Sequence, residues 1–115
     1  MSPDPQAAAP FDLTAGAFRL ATHGNGQLLA EGPLTFASAR RARELGLTAI
    51  AAGGGTLLID CQGVTVSDSA GLAVLLDWLA AARARGRSLR FAHLPQGLAA
   101  LGRISEVSEL LVRGV

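Results

Sequence analysis

Apolar positions along this chain follow two rhythms, one of strand length and one of helical spacing. Residues 18–22 (FRLAT) and 27–31 (QLLAE) are short strand candidates. The HGNG between them carries Gly and Asn residues that tolerate the positive φ angles of a tight turn, so the two predict an antiparallel hairpin. Residues 34–51 (LTFASARRARELGLTAIA) predict a helix with Phe36, Ala39, Leu47 and Ile50 near one face, although Arg43 intrudes and Gly46 weakens the middle. The glycine run 53–55 is expected to end it, since glycine enters the left-handed conformation of a C-terminal cap at least cost. Residues 56–60 (TLLID) are a continuous apolar run, as expected of a central strand.

The clearest helix spans residues 69–86: Leu72, Leu75, Leu76 and Leu79 follow the i, i+3, i+4, i+7 rule and Gly86 provides the stop. Residues 88–92 (SLRFA) form another strand. Pro95 then opens a helix in which Leu98, Leu101 and Ile104 recur at three-residue spacing, and a last turn carries Val107, Leu110 and Leu111. A right-handed crossover joins the third and fourth strands, which makes them parallel. The pattern therefore predicts an α/β fold with a mixed four-stranded sheet and packed helices.

Composition sharpens this picture. A chain of 115 residues holds one compact domain. Three of the five prolines fall in the first ten residues, so residues 1–15 are expected to be a disordered tail and 16–115 the domain. Half the residues are hydrophobic and 17% charged, which suits a folded chain. The net charge of +1 gives no reason to expect nucleic acid as a partner, although every basic residue is Arg. The single Cys61 ends an apolar run and reads as a packed thiol. The N-terminus lacks the basic and apolar regions of a signal peptide, and no run approaches the ~18 apolar residues of a membrane span, so a cytoplasmic protein without membrane insertion is expected.

Candidate chemistry concentrates in VSDSAG, residues 66–71, where a strand turns into the Leu-rich helix. A hydrolase elbow needs Gly two residues before and after its Ser; Ser69 has Gly71 after it but Ser67 before it, and neither His23 nor His93 has a spacing that ties it to Ser69. The glycine run lacks the Gly-Lys-Ser/Thr of a P-loop. One Cys and two scattered His residues do not supply a zinc site, and no cofactor is called for. An anion at the helix N-terminus would meet the charge of Asp68. Capping by Asp68 or Ser69 is the simplest role.

The run from Leu57 to Ser105 nevertheless resembles the central and C-terminal part of a STAS domain, the fold shared by bacterial anti-sigma factor antagonists and the cytoplasmic tails of sulfate transporters. The signature is an apolar strand ending in Asp, a loop, then Asp-Ser/Thr-x-Gly-Leu opening a helix; here these are Asp60, Asp68, Ser69, Ala70, Gly71 and Leu72. In the sigma-regulating branch the phosphorylated serine directly precedes that Gly, where this chain has Ala70, so the resemblance implies no phosphorylation there. The Leu-Ala after Gly71, the Leu75-Leu76 pair and the later LP followed by LAALGRIS are similar to MlaB-like proteins, small STAS subunits that bind the ATPase of the Mla phospholipid transporter. In that branch the hydroxyl residue after the Asp lies at the ATPase contact, and Ser69 holds that place.

A helical wheel adds to this surface. With the leucines facing the sheet, Val74, Trp78, Ala81 and Arg85 form a neighbouring stripe expected to be partly exposed, and a Trp beside an Arg has the composition of an interface centre. The expected partner-binding set is thus Asp68, Ser69, Ala70, Gly71, Val74, Trp78 and Arg85. The expected function is that of a non-enzymatic accessory subunit whose partner is the transporter ATPase; an anti-sigma factor antagonist, with an anti-sigma factor kinase as partner, is the alternative, and a small serine hydrolase using Ser69 a remote one.

Overall fold

The computed structural model describes residues 17–115, so the expected tail at residues 1–15 lies outside the described residues. Four strands, β1 (Arg19–Thr22), β2 (Gln27–Leu34), β3 (Leu57–Ser67) and β4 (Leu89–Ala92), form one sheet in the order β1-β2-β3-β4. β1 pairs antiparallel with β2, with Arg19 opposite Glu31 and Thr22 opposite Leu28, as the hairpin reading required. The β2–β3 and β3–β4 pairs are parallel. The helices are α1 (Ala39–Ala51), α2 (Ser69–Ala84), α3 (Gln96–Ile104) and α4 (Ser108–Arg113).

Two successive crossovers that advance the same way across a sheet, each right-handed, leave their helices on the same face. α1 and α2 accordingly pack against each other over that face. Strand periodicity agrees: Leu57, Ile59 and Cys61 are buried beneath the helices, while Leu58 and Asp60 point to the opposite face and are only half-buried. Burial raises the Cys61 thiol to about 12, the state of a packed, unreactive sulfhydryl. α3 continues the layer against α2, and α4 packs on α3 and β4.

β3 does not stop at Asp60. It runs on to Ser67 because β2 also continues through Gly32 and Pro33 to Leu34, and the two strands stay paired, past two register shifts, until Leu34 stands opposite Ser67. Asp60 is therefore a mid-strand residue. Its carboxyl accepts from the Gln62 N–H at 2.9 Å and lies 3.0 Å from His93 Nδ1. The Gln62 bond first, and then His93, holds it below the usual carboxylate range.

α1 begins at Ala39, five residues later than the sequence pattern suggested, and the missing turn belongs to the end of β2 and a tight loop. Phe36, expected on the buried face, is 84% exposed in that loop. The glycine run does not cap α1 either, since only Gly55 within it takes a positive φ. Arg87 does the capping instead: its guanidinium donates to the carbonyls of Ala49, Ile50 and Gly55 at 2.9 to 3.1 Å. In α3, Leu98 is buried, Leu101 half-buried and Ile104 exposed. Three-residue spacing rotates backwards by ~60° per step on a helix of 3.6 residues per turn, so Ile104 ends about 120° from Leu98.

The centre of the core is Trp78. Its ring lies 6.2 Å from that of Phe18, tilted by 43°, and its Nε1 donates to the Arg43 carbonyl at 3.3 Å. The indole fills the space above Gly46, where a Cβ would run into the ring. The residue that weakens α1 by propensity is thus what lets α1 close over α2.

Candidate functional site

The site expected at residues 68–71 lies where β2 and β3 end side by side and α2 begins. Asp68 takes extended backbone and is the N-cap of α2, its Oδ1 accepting from the Ala70 and Gly71 N–H groups at 2.9 and 3.1 Å. Its second oxygen, Oδ2, accepts from the Phe36 N–H at 3.0 Å. One carboxylate therefore holds both the start of α2 and the loop after β2. The Phe36 bond foremost, then those from Gly71 and Ala70, keeps the Asp68 carboxyl below the usual carboxylate range despite some desolvation.

Because Asp68 does the capping, Ser69 has no such duty. It is exposed on the first turn of α2. Ala70 is half-buried, and Gly71 is buried with its Cα against the end of β2, where a Cβ would collide with the Leu34 carbonyl. The Gly of the motif is thus required by close approach of helix to strand. Asp68, Ser69, Ala70 and Gly71 do form one local unit, but only Ser69 among them is exposed.

The stripe along α2 is different from expectation. Val74 is 3% and Trp78 0% exposed, both packed in the core, so the partly exposed face predicted for them is absent. The reason is α1, which the wheel could not place: it covers the flank of α2 next to its sheet-facing side. Ala81 is half-buried. Arg85 is exposed and donates to the Ala51 carbonyl at 3.5 Å, but it lies sixteen residues from Ser69, ~24 Å along a helix of 1.5 Å rise. The structure does not bring it to the turn.

Two residues not assigned to the site by sequence stand at the same end of the sheet, Phe36 in the loop after β2 and Val66, 55% exposed, near the end of β3. A signal for Phe36 existed. Ser38 directly precedes the first helical residue, and cap-forming residues mark helix starts, which leaves Phe36 in the preceding turn. Ser38 closes that turn by accepting from the Thr35 N–H at 2.9 Å and donating to the Pro33 carbonyl at 2.7 Å.

Chemistry other than binding finds no constellation at this turn. His93 is engaged with Asp60, and among the described residues neither imidazole hydrogen-bonds Ser69. Among the described residues no cluster of three His, Cys, Asp or Glu side chains converges, and no helix is long and apolar enough to cross a membrane.

Comparison with known proteins agrees with this architecture. The solved structure of the anti-sigma factor antagonist SpoIIAA in its unphosphorylated form matches with a TM-score of 0.59 at 18% identity, covering 76% of this chain and 83% of that one. The phosphorylated form of the Bacillus cell fate determinant SpoIIAA matches with a TM-score of 0.62 at 18% identity, over 81% and 86% of the two chains. A sulfate transporter family protein from Wolinella succinogenes gives 0.56 at 21% identity, over 80% of each chain. At these identities the likeness is one of fold. No curated protein sequence matches. STAS domains are generally non-catalytic binding modules, and the family model for the MlaB STAS domain matches residues 18–113. With nearly the whole described domain inside that match, the chain belongs to the MlaB-type STAS family (STAS_2).

Proposed function

We propose that this chain is a non-enzymatic accessory subunit that docks on the ATPase of an Mla-type phospholipid transporter and regulates it. The observation that carries the reading is the division of labour between Asp68 and Ser69: the carboxylate meets the needs of the helix end, which leaves Ser69 exposed at the position where the resemblance to MlaB-like proteins implies the ATPase contact. Val74, Trp78 and Arg85 drop out of the docking face, the first two by burial and the third by distance. Asp68, Ala70 and Gly71 shape the turn rather than reach outward. Regulation follows by population shift, since a subunit that contacts one assembled state of the ATPase better than another favours that state. Such a chain acts in the cytoplasm, held near the membrane by its partner.

The test is co-expression of the tagged chain with the ATPase, followed by pull-down. The wild type captures the ATPase and Ser69→Glu captures far less; equal capture by the two removes Ser69 from the face.

The anti-sigma alternative has the SpoIIAA likeness in its favour but lacks an acceptor, because Ala70 carries a methyl group where that branch carries the phosphorylated hydroxyl. Incubation with a partner kinase and ATP, read by intact mass, distinguishes the two: no phosphoryl gain is expected.

A further inference from the structure

We propose that Phe36 is the anchor by which the chain seats on its partner, and that the ATPase meets it with an apolar socket bordered by carboxylates that pair with Arg40. This rests on the docking reading above and adds the chemistry of the partner's surface. Among the described aromatic residues, Phe18 and Trp78 are buried and Phe91 is half-buried, whereas Phe36 is 84% exposed. It is not a loose ring on a long loop. The Phe36 N–H is fixed to Asp68 Oδ2 at 3.0 Å, and Ser38 ties the same turn to Thr35 and Pro33. A fixed backbone leaves only the side-chain torsions of Phe36 to be ordered on binding, which favours an interface anchor. Ala37 in the same turn and Ser69 and Ala73 at the start of α2 are small and exposed.

The sign of the partner's rim follows from the charges at hand. Asp68 is occupied by three backbone N–H groups. Arg43 is paired with Asp77 at 3.1 Å. Arg40, exposed in the first turn of α1, has no carboxylate within 4 Å among the described residues. It also sits at the wrong end of the helix. A cation at a helix N-terminus opposes the macrodipole, the first turn of α1 carries no acidic residue, and Ser38 makes no side-chain cap there. A partner carboxylate would pair with a guanidinium that has no carboxylate partner among the described residues and would complement a helix start without a side-chain cap, so an acidic rim is complementary and a basic one is not.

The experiment is a titration of the full chain against the purified ATPase subunit, with sedimentation of the chain alone and a thermal melt of each variant. Phe36→Ala is expected to raise Kd about 30-fold or more, with the melting temperature unchanged. Arg40→Glu is expected to slow association several-fold at low salt, a difference that fades near 0.5 M salt. Val112→Ala, which removes an exposed apolar residue of α4, is expected to bind as the wild type does. Wild-type binding with Phe36→Ala within two-fold of it overturns the anchor and leaves the docking reading standing. Arg40→Glu binding equally well or better overturns the acidic rim. A wild type that fails to bind overturns the docking reading and the anchor together. A chain that sediments as a dimer, and as a monomer with Phe36→Ala, makes a second copy the occupant and overturns the ATPase socket.

Discussion

The two halves of α2 share one helix and opposite fates. At its start, Ser69 stands in solvent because Asp68 has taken over the capping; one and two turns further on, Val74 and Trp78 disappear beneath α1. A polar residue at a helix tip is presented by local bonding, which the surrounding few residues determine. An apolar residue on the flank of the same helix is exposed or covered according to a neighbour thirty residues away. Recognition in this domain is therefore expected at the rim where strands end and helices begin, and stability along the helix bodies.

The largest test of that contrast is Trp78→Ala. Loss of a fully buried indole and the void above Gly46 are expected to destabilise the domain by ~3–5 kcal/mol, enough to lower the melting temperature by more than about 10 °C. A melt close to wild type would return Trp78 to the surface. Gly71→Ala comes next. Its Cβ meets the Leu34 carbonyl, and overpacking of this kind costs roughly 1–3 kcal/mol. The motif glycine would then show its effect in a denaturant titration even in the absence of any partner.

Asp68→Asn is gentler and more specific. The amide oxygen still accepts from Ala70 and Gly71, but the NH2 group that replaces Oδ2 cannot accept from the Phe36 N–H. A drop of a few degrees in melting temperature at neutral pH is expected. The Asp68 carboxyl is held below its ordinary 3.8, so its contribution is in place above that value and lost as pH falls through the lowered one. The gap between the variant and the wild type should accordingly narrow below about pH 4 in a pH series of melts. A gap that stays constant would mean the charge is not what holds the loop.

Much of this architecture was legible from residue order. The hairpin, the parallel third and fourth strands and the leucine face of α2 follow from alternation, turn residues and helical spacing, which are local. The readings that failed did so where a long-range partner decides. β3 runs past Asp60 because β2 runs alongside it; α1 starts late because β2 keeps Leu34; Trp78 is buried because α1 offers Gly46. Within the site, the turn at residues 68–71 was visible as a motif, and the cap by Asp68 as a matter of chemistry. That the same carboxylate also reaches the Phe36 N–H, thirty-two residues back in the chain, has no local signature.

The most direct measurement pairs affinity with stability for one substitution, Ser69→Glu. An acidic side chain in the first turn agrees with the helix dipole, so the fold should melt within about 2 °C of the wild type while Kd for the transporter ATPase rises more than about tenfold. Unchanged affinity, or a collapse in stability of the kind expected for Trp78→Ala, would contradict a hydroxyl set free for docking.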